Sequence, residues 1–264
     1  MPSICVIGGS GLEELLSVAE RASADTPYGP VEYSLGSVGG VEVLFIPRHG
    51  FGHRYPPHRV PYHANLYLAR AMGARWVIGT SAVGSLREEI RPGTVVIPDD
   101  LIDYTRGRRY TFYDDRAVHV DFTKPYCETL SRILYEACAE EGVEARLGGT
   151  YVCTEGPRFE TPAEIRMFRA LGADIVGMTN VPEAVLAREL ALHYSALCMV
   201  TNYAAGMQAR VTQEEVYRMM EEVRPRIVGV LGRAVRKISM LGEVRDYCIE
   251  HEEDARSIVG GGTR

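Results

Sequence analysis

The sequence predicts an α/β protein. Short apolar runs alternate with longer stretches of helical period along the whole chain. At 264 residues the length suits one large domain. No composition break or internal repeat divides it, so a single domain is expected. Strands are expected at 3–8, 41–46, 75–80, 94–98, 149–154, 174–178 and 195–202. Helices are expected at 62–72, 125–141, 162–171 and 182–192, with Pro182 suited to a first turn, where its missing N–H costs little. A last helix spans about 213–240, with Val216, Met220, Val223, Ile227, Val230, Leu231 and Ala234 at helical spacing. His49–Pro61 and residues 103–123 read as irregular. Residues 246–264 form a polar tail beyond the 1–245 domain, expected to fray from about 248 onward.

Composition narrows the function. Lys+Arg 29 against Asp+Glu 35 gives a net charge of −6, which disfavours binding to nucleic-acid polymers. Twenty-seven of the basic residues are arginines and only Lys124 and Lys237 are lysines. Arginine's planar fork suits phosphates, although base composition or heat adaptation explains most of such a bias. Six scattered cysteines with no CxxC pair make a disulfide scaffold or metal site unexpected, leaving an isolated bridge open. His49, His53, His58 and His63 cluster in sequence without the regular spacing of a zinc site. The N-terminus lacks a signal-peptide pattern and no run is long and apolar enough for a membrane span, so a soluble cytoplasmic protein is expected.

Polar groups recur at expected strand ends, where α/β sheets bind ligands. GGSG at 8–11 offers backbone N–H groups and the Ser10 hydroxyl, a plausible anion cradle or merely a tight turn. It is neither a dinucleotide fingerprint nor a Walker loop, so a redox enzyme is disfavoured. Arg48-His49 ends the apolar run 43–47, and TSAVGSL at 80–86 adds hydroxyls after the run 75–79. Thr179, between a strand and a proline-opened helix, suits a helix cap, an anion contact or both. Hydroxyls, glycines and one Arg-His pair without a lysine suit a free oxyanion better than γ-phosphate transfer. Elsewhere, Glu155 and Glu160 flank a Gly-Pro turn and Asn202 ends an apolar strand. A carboxylate and an amide together can read a heterocycle, while each alone is commonly a helix-start or turn residue.

Five motifs in order, IGGSGL (7–12), PRHG (47–50), TSAVGSLREEIRPG (80–93), EGPRFET (155–161) and GMTNVPEA (177–184), resemble the trimeric nucleoside phosphorylases over about residues 3–240. The resemblance implies a single α/β domain with a central mixed sheet flanked by helices. It implies reversible phosphorolysis of a purine nucleoside to free base and sugar 1-phosphate, in a homotrimer or a hexamer of two trimers. Phosphate is a co-substrate, and neither metal nor organic cofactor is implied. By resemblance, phosphate contacts fall on Ser10, Arg48, His49, Ser81, the Ala82 backbone and Thr179, with Arg48 holding the anion through paired hydrogen bonds. Met178 falls at the sugar, and Asn202 falls where it can hydrogen-bond purine N7.

The resemblance also orders the substrates. Adenosine-type members carry a TDYD-like segment, whereas this chain reads TNYA at 201–204, so Asn202, Tyr203 and Ala204 form the base segment without its carboxylates. Glu160 stands where 6-oxopurine enzymes place a glutamate that accepts from N1–H. Adenine would instead turn a lone pair toward that carboxylate, a mismatch of about 2–4 kcal/mol. Inosine and guanosine are therefore expected. Gln213 aligns with a position that is polar in purine nucleoside phosphorylases and apolar in methylthio enzymes. Against that, IDYTRGR (102–108) and HVDFTKPY (119–126) look closest to methylthioinosine enzymes, with His119 falling where a residue reaches a neighbouring subunit's sugar pocket. A methylthioinosine or methylthioadenosine phosphorylase is the alternative within the family. A nucleoside-binding protein without catalysis is the alternative outside it.

Overall fold

The computed structural model describes residues 2–9 and 20–260. Eleven strands and six helices build it: β1 (Ile4–Gly8), β2 (Glu20–Thr26), β3 (Gly29–Val38), β4 (Val41–Pro47), α1 (Tyr62–Ala71), β5 (Trp76–Ser85), β6 (Val95–Ile97), β7 (Asp100–Tyr104), α2 (Glu128–Glu140), β8 (Ala145–Leu147), β9 (Thr150–Thr154), α3 (Pro162–Ala170), β10 (Ile175–Gly177), α4 (Asn180–Glu189), β11 (His193–Tyr203), α5 (Gln213–Ser239) and α6 (Glu252–Gly260). All strands join one mixed sheet, as expected of the class.

Strand β5 is the hub of the sheet. Its first half pairs in parallel with β1, its second half pairs antiparallel with β10, and β11 runs parallel along its other edge. The path continues outward through β4, β3 and β2 on one side and through β9 and β7 on the other. In β1 all five residues are buried. Cys5 and Ile7 join a core with α1 and α4, while Ile4 and Val6 join a second core with α2 and α5. Burial on both faces explains why this segment reads as a continuous apolar run rather than an alternating one.

The expected helices appear within about three residues of their expected ends, and the longest runs Gln213–Ser239. Five features differ, the smallest being the short strand β8, which was not expected and pairs in parallel with β6. The β2–β3 hairpin went unpredicted because its residues are mostly polar, and only scattered positions such as Val31, Ser34 and Val38 are buried. Strand β7 takes the start of the segment expected to be irregular by pairing in parallel with β9. Strand β5 continues to Ser85 instead of ending near residue 80, because β10 and β11 supply backbone partners for its polar second half. The tail is not frayed through residue 260. Cys248 is buried, and α6 is tied to α1 and its following turn by Glu252, which accepts from Arg70 at 2.6 Å and Arg75 at 2.9 Å. All six cysteines are buried free thiols. Among the described residues no helix is long and apolar enough to cross a membrane.

Candidate active site

Where the ends of β1, β4, β9 and β10 meet the middle of β5 and the end of β11, the molecule encloses a cavity of about 370 Å³. Its lining includes Arg48, His49, Ser81, Ala82, Glu160, Met178, Thr179, Asn202, Ala204 and Gln213, so ten of the thirteen predicted site residues converge on one space. Ser10 lies outside the described residues. Tyr203 departs from expectation: it is not in the lining, and its hydroxyl donates to the Glu88 carbonyl at 3.0 Å. That follows from strand alternation, which sends neighbours Asn202 and Tyr203 to opposite faces. His119 is exposed and does not line the cavity of its own chain.

At one end the groups are wholly buried. The Arg48 guanidinium donates to Glu183 twice, from Nε and Nη2, both at 2.6 Å, and Nη1 donates to the Thr80 carbonyl at 2.6 Å. Both side chains of this pair have no solvent exposure. Burial alone would lower the Arg48 pKa, but the charge and hydrogen bonds of Glu183 outweigh it and raise it. The paired grip on phosphate expected of Arg48 is thus corrected: those donors already hold Glu183. Glu183, which also accepts from the Tyr194 hydroxyl at 2.8 Å, lies in the motif GMTNVPEA but carries no sequence signal separating it from a first-turn helix residue.

Gly9 lies beside this guanidinium. A Cβ there would sit 2.6 Å from the Thr80 carbonyl oxygen and 3.0 Å from Arg48 Nη1, so the close approach of β1 to β5 requires glycine. Ser81 Oγ and Thr179 Oγ1 are 3.0 Å apart. Thr179 stands at the N-cap of α4 without making a side-chain capping bond, so its hydroxyl serves Ser81 and the cavity. His49 is held by its Nδ1, 2.7 Å from the Tyr55 carbonyl, and stacks on His53 at 4.3 Å between ring centres. His63, by contrast, pairs with the distant Thr111 carbonyl at 2.9 Å, so the four sequence-clustered histidines do not converge.

The opposite end is more open. Glu160 is half-buried and accepts from the Thr154 hydroxyl at 2.6 Å. Burial raises its pKa above the ordinary carboxylate range, opposed in part by that bond. Asn202 accepts from Thr201 Oγ1 at 2.8 Å and donates one amide hydrogen to the Tyr203 carbonyl at 2.9 Å. These bonds orient the amide and leave its second hydrogen for the cavity. Glu155 does not join Glu160. It turns to the neighbouring loop, accepting from the Arg106 and Gly107 N–H groups and from Arg108, which lower its pKa despite partial burial.

A third wall comes from the start of α5 and was read only through Gln213, whose Nε2 donates to the Tyr217 hydroxyl at 3.1 Å. Val211, Val216, Tyr217 and His53 also line it, as does Phe159 near Glu160. Their sequence context is that of ordinary helix and loop residues, and only the fold brings them here.

Comparison with known proteins agrees with this geometry. The family model of the Phosphorylase superfamily matches residues 3–236. The chain is 47% identical to the probable S-methyl-5'-thioinosine phosphorylase of Methanothermobacter thermautotrophicus over 240 residues, covering 89% of this chain and 84% of that one. It is 46% identical to the 6-oxopurine nucleoside phosphorylase of Pyrococcus furiosus over 245 residues, covering 89% and 92%. A crystal structure of a methylthioadenosine phosphorylase sourced from an antarctic soil metagenomic library superposes with a TM-score of 0.85 at 34% identity, covering 98% of each chain. With the family model spanning nearly the whole chain and a cavity assembled from the family's motifs, this protein belongs to the Phosphorylase superfamily, among its nucleoside phosphorylases.

Proposed function

We propose that the chain is a 6-oxopurine nucleoside phosphorylase, converting inosine or guanosine and phosphate to the free base and ribose 1-phosphate in purine salvage. The observation that carries this reading is the base end of the cavity, where a Glu160 carboxylate and the Asn202 amide stand beside the carboxylate-free Ala204. Glu160 accepts from N1–H of a 6-oxopurine, and the spare Asn202 hydrogen serves N7 or the 6-oxo group.

Phosphate sits at the other end, against the Ser81 and Thr179 hydroxyls, His49, the Ala82 backbone and the remaining Nη1 hydrogen of Arg48. Cleavage of the glycosidic bond gives the sugar oxocarbenium character, and the anion below C1′ stabilises that charge and then bonds to it. Electrons from the broken bond go to the purine, where hydrogen bonding by Asn202 relieves the developing charge. Met178 packs against the sugar. No metal or organic cofactor takes part in these steps. The active unit is a cytoplasmic homotrimer, or a hexamer of two trimers, in which His119 reaches a neighbouring sugar pocket.

A second reading, an S-methyl-5'-thioinosine phosphorylase, is favoured by Val211 and Val216, which flank Gln213 with apolar surface suited to a thioether. A nucleoside panel assayed with and without phosphate separates these readings. Phosphate-dependent release of hypoxanthine from inosine supports the proposal, and kcat/KM on inosine against methylthioinosine assigns the 5′ group. Hydrolysis independent of phosphate, a preference for adenosine, or binding without turnover would overturn it.

A further inference from the structure

Outside the cavity, the fold gathers four metal-binding side chains that lie far apart in sequence. Cys127 precedes α2, His193 opens β11, and Asp246 and Cys248 come from the segment before α6. One ligand atom from each lies within 4.8 Å of all the others. Cys127, His193 and Cys248 are buried, and Asp246 is largely so. None of the four lines the active-site cavity.

We propose that these residues form a structural zinc site that fastens the C-terminal segment to the core. Cys127 Sγ is 3.4 Å from His193 Nδ1 and 3.9 Å from Asp246 Oδ2, and His193 Nδ1 is 3.5 Å from Asp246 Oδ1. Ligands about 2.0–2.3 Å from a tetrahedral zinc stand roughly 3.3–3.8 Å from one another; the Cys127–His193 and His193–Asp246 separations fall in that window, and the wider pairs, within 4.8 Å, close onto the ion by small side-chain shifts. A histidine–carboxylate pair joined directly by a hydrogen bond would sit closer, at about 2.7–3.2 Å. Two thiols, one imidazole and one carboxylate also form a donor set suited to zinc rather than to magnesium or calcium.

The surroundings prepare the ligands. Asp246 Oδ1 accepts from the Cys248 N–H at 2.8 Å, and the Cys127 N–H donates to the Tyr194 carbonyl at 2.7 Å, fixing both backbones. Binding Zn²⁺ through the two thiolates releases the thiol protons to solvent, with no change of oxidation state. The site escapes sequence inspection because its ligands span residues 127–248 and no two occupy a zinc-type spacing.

The test uses the full-length reduced chain. His193 stacks on Trp76, the one tryptophan, at 4.1 Å between ring centres. Cobalt added to chelator-treated protein should give a thiolate-to-cobalt charge-transfer band and a tetrahedral visible band. Both should saturate at about one ion per chain, with quenching of Trp76 fluorescence, and zinc should displace the cobalt. Cys248→Ser should weaken cobalt binding on the order of 100-fold while leaving phosphorolysis unchanged. The wild-type titration decides the matter if that variant misfolds. Absence of the thiolate band, undiminished binding by Cys248→Ser, or a Cys127–Cys248 disulfide in freshly lysed, thiol-blocked protein would overturn the proposal.

Discussion

The two ends of the active-site cavity are built on opposite plans. At the phosphate end, Arg48, His49, Ser81 and Thr179 are buried, and Arg48 and Glu183 form a closed ion pair without solvent exposure. At the base end, Glu160 is half-buried on a turn and Phe159 is exposed. The proposed phosphate end is therefore coupled to folding, because the Arg48 donors there satisfy core acceptors. Asn202 and Ala204 at the base end are buried as well, so the part that can change with little effect on the core is the Phe159–Glu160 turn. An Arg–Glu pair is also electrically neutral as a unit, so the proposed anion site would rest more on hydroxyls, backbone N–H groups and His49 than the arginine count suggested.

The largest expected effect tests that coupling. Glu183→Ala leaves the Arg48 guanidinium buried and unpaired, and should cost about 3–5 kcal/mol of stability in chemical denaturation as well as activity. Unchanged stability would mean that the phosphate end is not locked into the core. At the base end, Glu160→Gln should lower kcat/KM for inosine by about 100-fold, narrow its preference over adenosine, and leave stability near wild type. The same variant carries a pH signature. Glu160 must be ionised to accept from N1–H, and burial raises its pKa. Activity on inosine should therefore fall as pH drops through that raised value, on a limb above the ordinary carboxylate range, and Glu160→Gln should remove the limb.

Smaller effects sharpen the contrast. Thr179→Val should raise KM for phosphate about 10-fold while the nucleoside KM stays near wild type, since its hydroxyl faces Ser81 rather than a helix cap. Steady-state kinetics with each substrate varied in turn would show the split. Gln213→Val should give the smallest change, shifting the ratio of kcat/KM on inosine and methylthioinosine a few-fold toward the thioether. A ratio that does not move would place Gln213 outside substrate selection.

Much of the molecule was legible because burial leaves a signature. Strands such as β1, buried on both faces, read as apolar runs, and the helix stripe over Gln213–Ser239 has the right period. The β2–β3 hairpin and α6 were not legible, since polar residues there are ordered by pairing and by the bonds of Glu252 to Arg70 and Arg75. In the site, strand-end motifs together with the family resemblance identified ten lining residues, but Glu183, Tyr217 and Val216 looked like ordinary helix positions.

Sequence by itself determined the fold class, the family resemblance and the absence of carboxylates from the base segment 201–204, because these depend on residue type and order. Tertiary structure decided which groups meet. It spent two of Arg48's hydrogen bonds on Glu183, turned Glu155 and Tyr203 away from the cavity, and drew Cys127, His193, Asp246 and Cys248 into one cluster. Each of these outcomes depends on contacts between distant residues, which burial and hydrogen-bond satisfaction select only once the sheet has formed.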